Sequence, residues 1–70
     1  MTLQQLKYVI AIADSGSVNS AAKNLYLSQP SLSSAVKELE EEIGFELFRR
    51  SNRGVTITAE GEEFLNYARQ

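Results

Sequence analysis

Ser17-Val-Asn-Ser-Ala-Ala-Lys-Asn-Leu-Tyr-Leu-Ser-Gln-Pro-Ser-Leu-Ser-Ser-Ala-Val-Lys-Glu-Leu-Glu-Glu-Glu-Ile-Gly44 is the stretch whose reading decides the fold. Ser17 is a good helix N-cap, and Val18, Ala21, Ala22 and Leu25 follow it at helical spacing. Ala21 and Ala22 are small enough to let a crossing helix approach closely. Tyr26-Leu27 makes a turn. Ser28 then caps a second helix whose first turn holds Pro30, where a missing N–H costs little. Leu27 and Leu32 have the spacing of a hydrophobic staple across that cap. Leu32, Ala35, Val36, Leu39 and Ile43 share one face of this helix, and Gly44 suits the position just past its end. Pro30, Ser33, Ser34, Lys37 and Glu41 lie on the opposite, outward face. Two amphipathic helices joined by so short a turn form a helix-turn-helix, whose second helix can enter a DNA major groove.

Working outward, Thr2 and Gln5 form a capping box at the chain start, with Met1 and Leu6 placed for a staple. Leu3, Leu6, Ile10 and Ala13 recur at helical spacing, with Val9 widening the stripe, until Asp14-Ser15-Gly16 ends the helix. On the other side, Leu47 to Arg50 and Val55 to Thr58 read as two strands around Ser51-Asn52-Arg53-Gly54, a β-hairpin in the position of a wing. Thr58 caps a last helix in which Glu60, Glu62 and Glu63 suit the positive end of the dipole. Phe64, Leu65 and Ala68 form its apolar side, and with no stop signal at Gln70 it reads as cut. The expected fold is mainly α: a winged helix-turn-helix with a three-helix core, a two-stranded β wing and the start of a C-terminal linker helix.

Composition narrows the function. Seventy residues with 43% hydrophobic and 23% charged content suit one small soluble domain. No apolar run approaches the ~20 residues of a membrane span, and no basic-then-apolar leader stands at the N-terminus. The absence of cysteine rules out a disulfide framework and is compatible with a reducing cytoplasm. Without histidine, cysteine or a glycine-rich phosphate loop, an enzyme is the weakest reading, and no catalytic residue, cofactor or metal is expected. The net charge of −2 is low for a polyanion partner. Distribution matters more than the total: acids crowd between Glu38 and Glu46, while Arg49, Arg50 and Arg53 cluster near the hairpin.

The chain resembles the N-terminal DNA-binding domain of LysR-type transcriptional regulators from Leu3 to about Ala68. The match is carried by Gly16-Ser17, Ala21-Ala22, Leu25, Ser28-Gln29-Pro30, Leu32-Ser33, Leu39-Glu40, Ile43-Gly44, Leu47-Phe48, Arg50, Arg53-Gly54, Thr58 and Gly61. The resemblance implies a DNA-binding domain over residues 1–58 and the start of a linker or dimerisation helix over 59–70, cut short. It also implies an effector-binding domain absent from this sequence, through which a small-molecule effector acts. The implied partners are double-stranded DNA and further copies of the chain, as homodimer or tetramer, in the cytoplasm and away from membranes.

One departure bears on specificity. Many members carry a basic residue where this chain has Ser34, so a bidentate arginine on guanine cannot come from that position. Base reading then rests on Gln29, the serines, methyl contacts from Pro30, and DNA shape. The expected DNA contacts, with a recognition helix about 28–43 and a wing about 47–58, are Ser28, Gln29, Pro30, Ser31, Ser33, Ser34, Lys37, Arg50 and Arg53. The resemblance places dimerisation on Phe64, Leu65, Tyr67 and Ala68.

Plainer readings stand beside these. Gln29 and Ser33 could be ordinary solvent-facing residues, and Ser28 a cap alone. Lys37 could pair with Glu41 at i,i+4. Arg50 could contact phosphate or pair with a nearby glutamate, and Arg49 is a weaker candidate. Glu38 to Glu42 reads as a solvated face, and Tyr8 and Tyr26 as packing at the core edge. A winged helix that binds protein instead of DNA is the second functional reading.

Overall fold

The computed structural model of the chain describes residues 1–51 and 54–69. Its elements run α1 (Leu3–Ser15), α2 (Val18–Asn24), α3 (Gln29–Ile43), β1 (Phe48–Ser51), β2 (Gly54–Ile57) and α4 (Ala59–Ala68). Helix α1 packs against α2, α3 and α4, so it is the hub of the domain. The strands form one antiparallel pair with Phe48 opposite Ile57 and Arg50 opposite Val55. This is a winged helix-turn-helix.

Each helix starts where its cap dictates. Thr2 Oγ1 accepts from the Gln5 N–H and Gln5 Oε1 from the Thr2 N–H, a complete capping box. Ser17, Ser28 and Thr58 each accept from the backbone N–H three residues on. Gly16 and Gly44 close α1 and α3 in the left-handed conformation that favours glycine.

The core is built from Val9, Ile12, Ala21, Leu32, Leu39 and Leu47, all fully buried. Its placement corrects the reading of α1. Leu3 was expected on the inward stripe and is 70% exposed, and Met1 beside it is exposed as well. The inward line runs through Val9 and Ile12, and at 100° per residue Leu3 lies about 150° from it. The helix is therefore rolled toward its Val9 side, while Ile10 and Ala13 cover the margin of the core.

Tyr26 is a second correction: it is 96% exposed, not packed. The Leu27 N–H bonds to the Ala22 carbonyl and the Tyr26 N–H to the Lys23 carbonyl, a Schellman closure of α2. That closure places Tyr26 in the left-handed region at φ 58° and turns its side chain outward. Tyr8, by contrast, packs against the core as expected.

The wing is anchored to the body through backbone as much as through side chains. The Val55 N–H bonds to the Gly16 carbonyl at 3.3 Å. A Cβ on Gly54 would sit 2.7 Å from that same oxygen, so the strand can approach the α1–α2 turn only as glycine. Phe48, Val55 and Ile57 then add the wing's apolar face to the core.

Candidate nucleic-acid interface

The first turns of α3 gather most of the residues expected to face DNA. Ser28 does two tasks: its Oγ accepts the Ser31 N–H at 3.2 Å and donates to the Ser31 Oγ at 2.8 Å. Pro30 and Ser34 stand exposed on the outward face, as their spacing requires. Gln29 reaches one turn along the helix and donates from Nε2 to the Ser33 Oγ at 3.0 Å.

Strand β1 closes on this face. The Arg50 guanidinium crosses from the wing and donates to the same Ser33 Oγ at 2.5 Å. Arg50 thus pairs with a serine of α3, not with the glutamates around it. Gln29, Ser33 and Arg50 form one polar chain joining the helix start to the wing. An open groove of about 640 Å³ lies between α3 and β1, with Ser33, Ser34, Lys37, Arg49 and Arg50 along it.

The groove's charge is less mixed than its residue types suggest. Glu40 lines it, but its carboxylate accepts the backbone N–H of Leu47 at 2.6 Å and of Phe48 at 3.3 Å. Glu40 therefore leaves the solvated acidic face to which its run assigns it. It satisfies two N–H groups that the turn after α3 would otherwise leave without acceptors. Glu46 faces Arg49 at 3.9 Å in an exposed pair. Lys37 makes no ion pair with Glu41 or any other carboxylate among the described residues, which leaves its ammonium available to a ligand.

Arg53, expected at the wing tip, lies outside the described residues. The four residues expected to pair subunits divide. Leu65 is 5% exposed and belongs to the core, so it has no surface to offer a partner. Phe64 is half-buried against that core and Ala68 is half-buried, while Tyr67 is 78% exposed. Among the described residues, no group of three or more histidine, cysteine or acidic side chains is arranged to hold a metal ion, and no helix is long and apolar enough to cross a membrane.

Three positioning features escaped the sequence reading. Glu40 was hidden in an acidic run, and only its three-dimensional neighbours set it apart. Gly61 is buried where α4 crosses the chain before β1: a Cβ there would meet the Leu47 carbonyl at 2.5 Å. Arg69 pairs with Asp14 at 2.7 Å, tying the end of α4 to the end of α1 across most of the sequence.

Comparison with known proteins agrees with this geometry. Residues 3–62 match the family described as bacterial regulatory helix-turn-helix protein, lysR family. The HTH-type transcriptional regulator TfdT of Cupriavidus pinatubonensis is 46% identical over 70 residues, all of this chain and 31% of TfdT. The regulator AlsR of Bacillus subtilis is 46% identical over 69 residues, 99% of this chain and 23% of AlsR. The chain thus spans between 23% and 31% of the length of such relatives. Among solved structures, the CbnR DBD–DNA complex superposes with a TM-score of 0.94 at 45% identity, covering 99% of this chain and 79% of that one. The BenM DBD bound to catB site 1 DNA superposes at 0.91 with 41% identity, covering 97% of this chain and 73% of that one.

Proposed function

The chain belongs to the lysR family of bacterial regulatory helix-turn-helix proteins, and from that premise we propose that it binds double-stranded DNA sequence-specifically as part of a transcription regulator. In this reading α3 enters the major groove and the wing rests on the minor groove and backbone. The observation that carries it is the superposition, at 45% identity over 99% of the chain, on a domain solved with DNA. The exposed face of α3, with Gln29, Pro30, Ser33, Ser34 and Lys37, meets the duplex. Ser28, Ser31 and Arg53 serve the backbone around it, and Arg50 stands on the wing beside Ser33.

Residues 1–58 are the DNA-binding unit, and 59–70 belong to the segment that pairs subunits. Tyr67, with the half-buried Phe64 and Ala68, offers the surface for that pairing. A regulator of this kind works in the cytoplasm without catalytic chemistry or a cofactor, as a dimer or tetramer, and takes a small-molecule effector through a separate domain.

Fluorescence anisotropy on random duplex and on a genomic-fragment pool, titrated with salt, tests the reading. Salt-sensitive binding with enrichment of fragments containing an inverted repeat is the expected result. A folded chain, extended through the linker helix, that binds no duplex at low salt would favour the protein-interaction reading instead.

A further inference from the structure

Ser33 receives two hydrogen bonds, from Gln29 Nε2 at 3.0 Å and from Arg50 at 2.5 Å. A serine hydroxyl has two lone pairs to offer and one proton to give. Here both lone pairs are engaged, and no acceptor among the described residues takes the proton. Ser33 borders the groove between α3 and β1, so the O–H left to it is available there.

This arrangement restricts what Ser33 can recognise. A free serine hydroxyl pairs with donors and acceptors alike and discriminates poorly between bases. A hydroxyl whose lone pairs are taken can only donate. In the major groove guanine offers O6 and N7, adenine N7 and thymine O4 as acceptors, whereas cytosine offers only its N4 amino donor. Resting on the DNA-binding reading above, we propose that Arg50 and Gln29 fix Ser33 as a one-way donor, which makes it a specificity-determining residue that rejects cytosine at the base it faces. Arg50 acts here as a positioning residue: it sets the polarity of Ser33 from the wing and couples wing placement to base choice. Gln29 keeps Oε1 and one amide proton free, the acceptor–donor pair that adenine N6 and N7 require.

The alternative role for Arg50 is a phosphate contact, and the two differ in what they change. Loss of a phosphate contact weakens binding to every sequence alike. Loss of a polarity-setting donor alters preference at one base pair.

The test starts from the duplex that the chain recovers out of a randomised pool. Fluorescence anisotropy is then measured on that duplex and on every single base-pair replacement of it. At one position, cytosine on the contacted strand should bind about tenfold more weakly than the preferred base, the size of an ordinary mismatch. Arg50→Met keeps the aliphatic stem and removes the donor, and should erase most of that discrimination while preserving the order of preference elsewhere. Arg50→Lys, which retains a donor, should restore much of it. In a Ser33→Ala chain the discrimination should be gone, and adding Arg50→Met should change nothing further at that position. Circular dichroism confirms that each variant is folded. A uniform loss of affinity in Arg50→Met, with the base profile unchanged, overturns the polarity assignment and leaves DNA binding intact. Failure of the parent chain to bind any duplex overturns the DNA-binding reading and this inference with it.

Discussion

At the scale of single residues, the side chains that hold the interface in place are distinct from those that face outward from it. Gly61 illustrates how packing reverses a local rule. Replacing glycine by alanine inside a helix ordinarily stabilises by ~1 kcal/mol, because alanine restricts the unfolded chain and suits the helix. At Gly61 the new methyl would sit 2.5 Å from the Leu47 carbonyl oxygen, a backbone atom that cannot swing aside. Overpacking of this kind costs about 1–3 kcal/mol, so Gly61→Ala should destabilise the domain, with the loss visible as a lower urea midpoint. A midpoint at or above the parent's would mean that α4 can move off Leu47 cheaply. Glu40 poses the complementary case. Its carboxylate accepts from Leu47 and Phe48, and Leu47 is fully buried. Glu40→Ala strands those donors, at about 1–3 kcal/mol. Glu40→Gln keeps an acceptor oxygen and should recover a large part of the loss. If the alanine variant unfolds at the parent's midpoint, water reaches those N–H groups and the Glu40 carboxylate has no structural role.

At the scale of elements, the helix boundaries were legible because caps are local chemistry: Thr2, Ser17, Ser28 and Thr58 each bond the backbone within their own turn. The inward face of α3 was legible too, since Leu32, Val36 and Leu39 sit at a spacing that admits one face. The face of α1 was not, because Leu3, Leu6, Ile10 and Ala13 form an equally regular stripe, and which stripe turns inward depends on three other elements. The bond from Arg50 to Ser33 spans seventeen positions and joins two different elements, so no spacing rule could reveal it. The turn between α2 and α3 shows a residue whose type and conformation disagree. Tyr26 holds φ 58° while almost wholly exposed, so it bears left-handed strain without burying its ring. Asparagine tolerates that region far better than tyrosine. Tyr26→Asn should therefore raise stability by roughly 0.5–1 kcal/mol, read as a higher denaturant midpoint at unchanged slope. A lower midpoint would show that the tyrosine ring contributes to the folded state despite its exposure.

At the scale of the whole molecule, a net charge of −2 must be reconciled with a polyanionic partner. The acids are disposed so that this is possible: Glu40 is engaged by backbone N–H groups, Glu42 by the N-terminal amine, and Asp14 by Arg69. The proposed duplex face retains Lys37, Arg50 and Arg53 as cations. With Arg50 engaged on Ser33, two phosphate-neutralising charges per subunit, Lys37 and Arg53, correspond to a log–log salt slope of about −1.8, small beside strongly basic DNA-binding proteins. Affinity for arbitrary duplex should therefore be weak, and discrimination must come from base contacts. The two contributions separate in one experiment. Arg53→Ala should weaken binding to all sequences and make the slope shallower by about 1. Gln29→Ala should leave the slope unchanged, cost ~1–3 kcal/mol on the preferred duplex and relax preference at the base pair Gln29 faces and at the one Ser33 faces. Anisotropy titrations of both variants at several salt concentrations decide between these effects. An unchanged slope in Arg53→Ala would remove the wing tip from the phosphate contacts. A shallower slope in Gln29→Ala would mean that Gln29 acts through backbone register, and base reading would then fall to Ser33 and DNA shape.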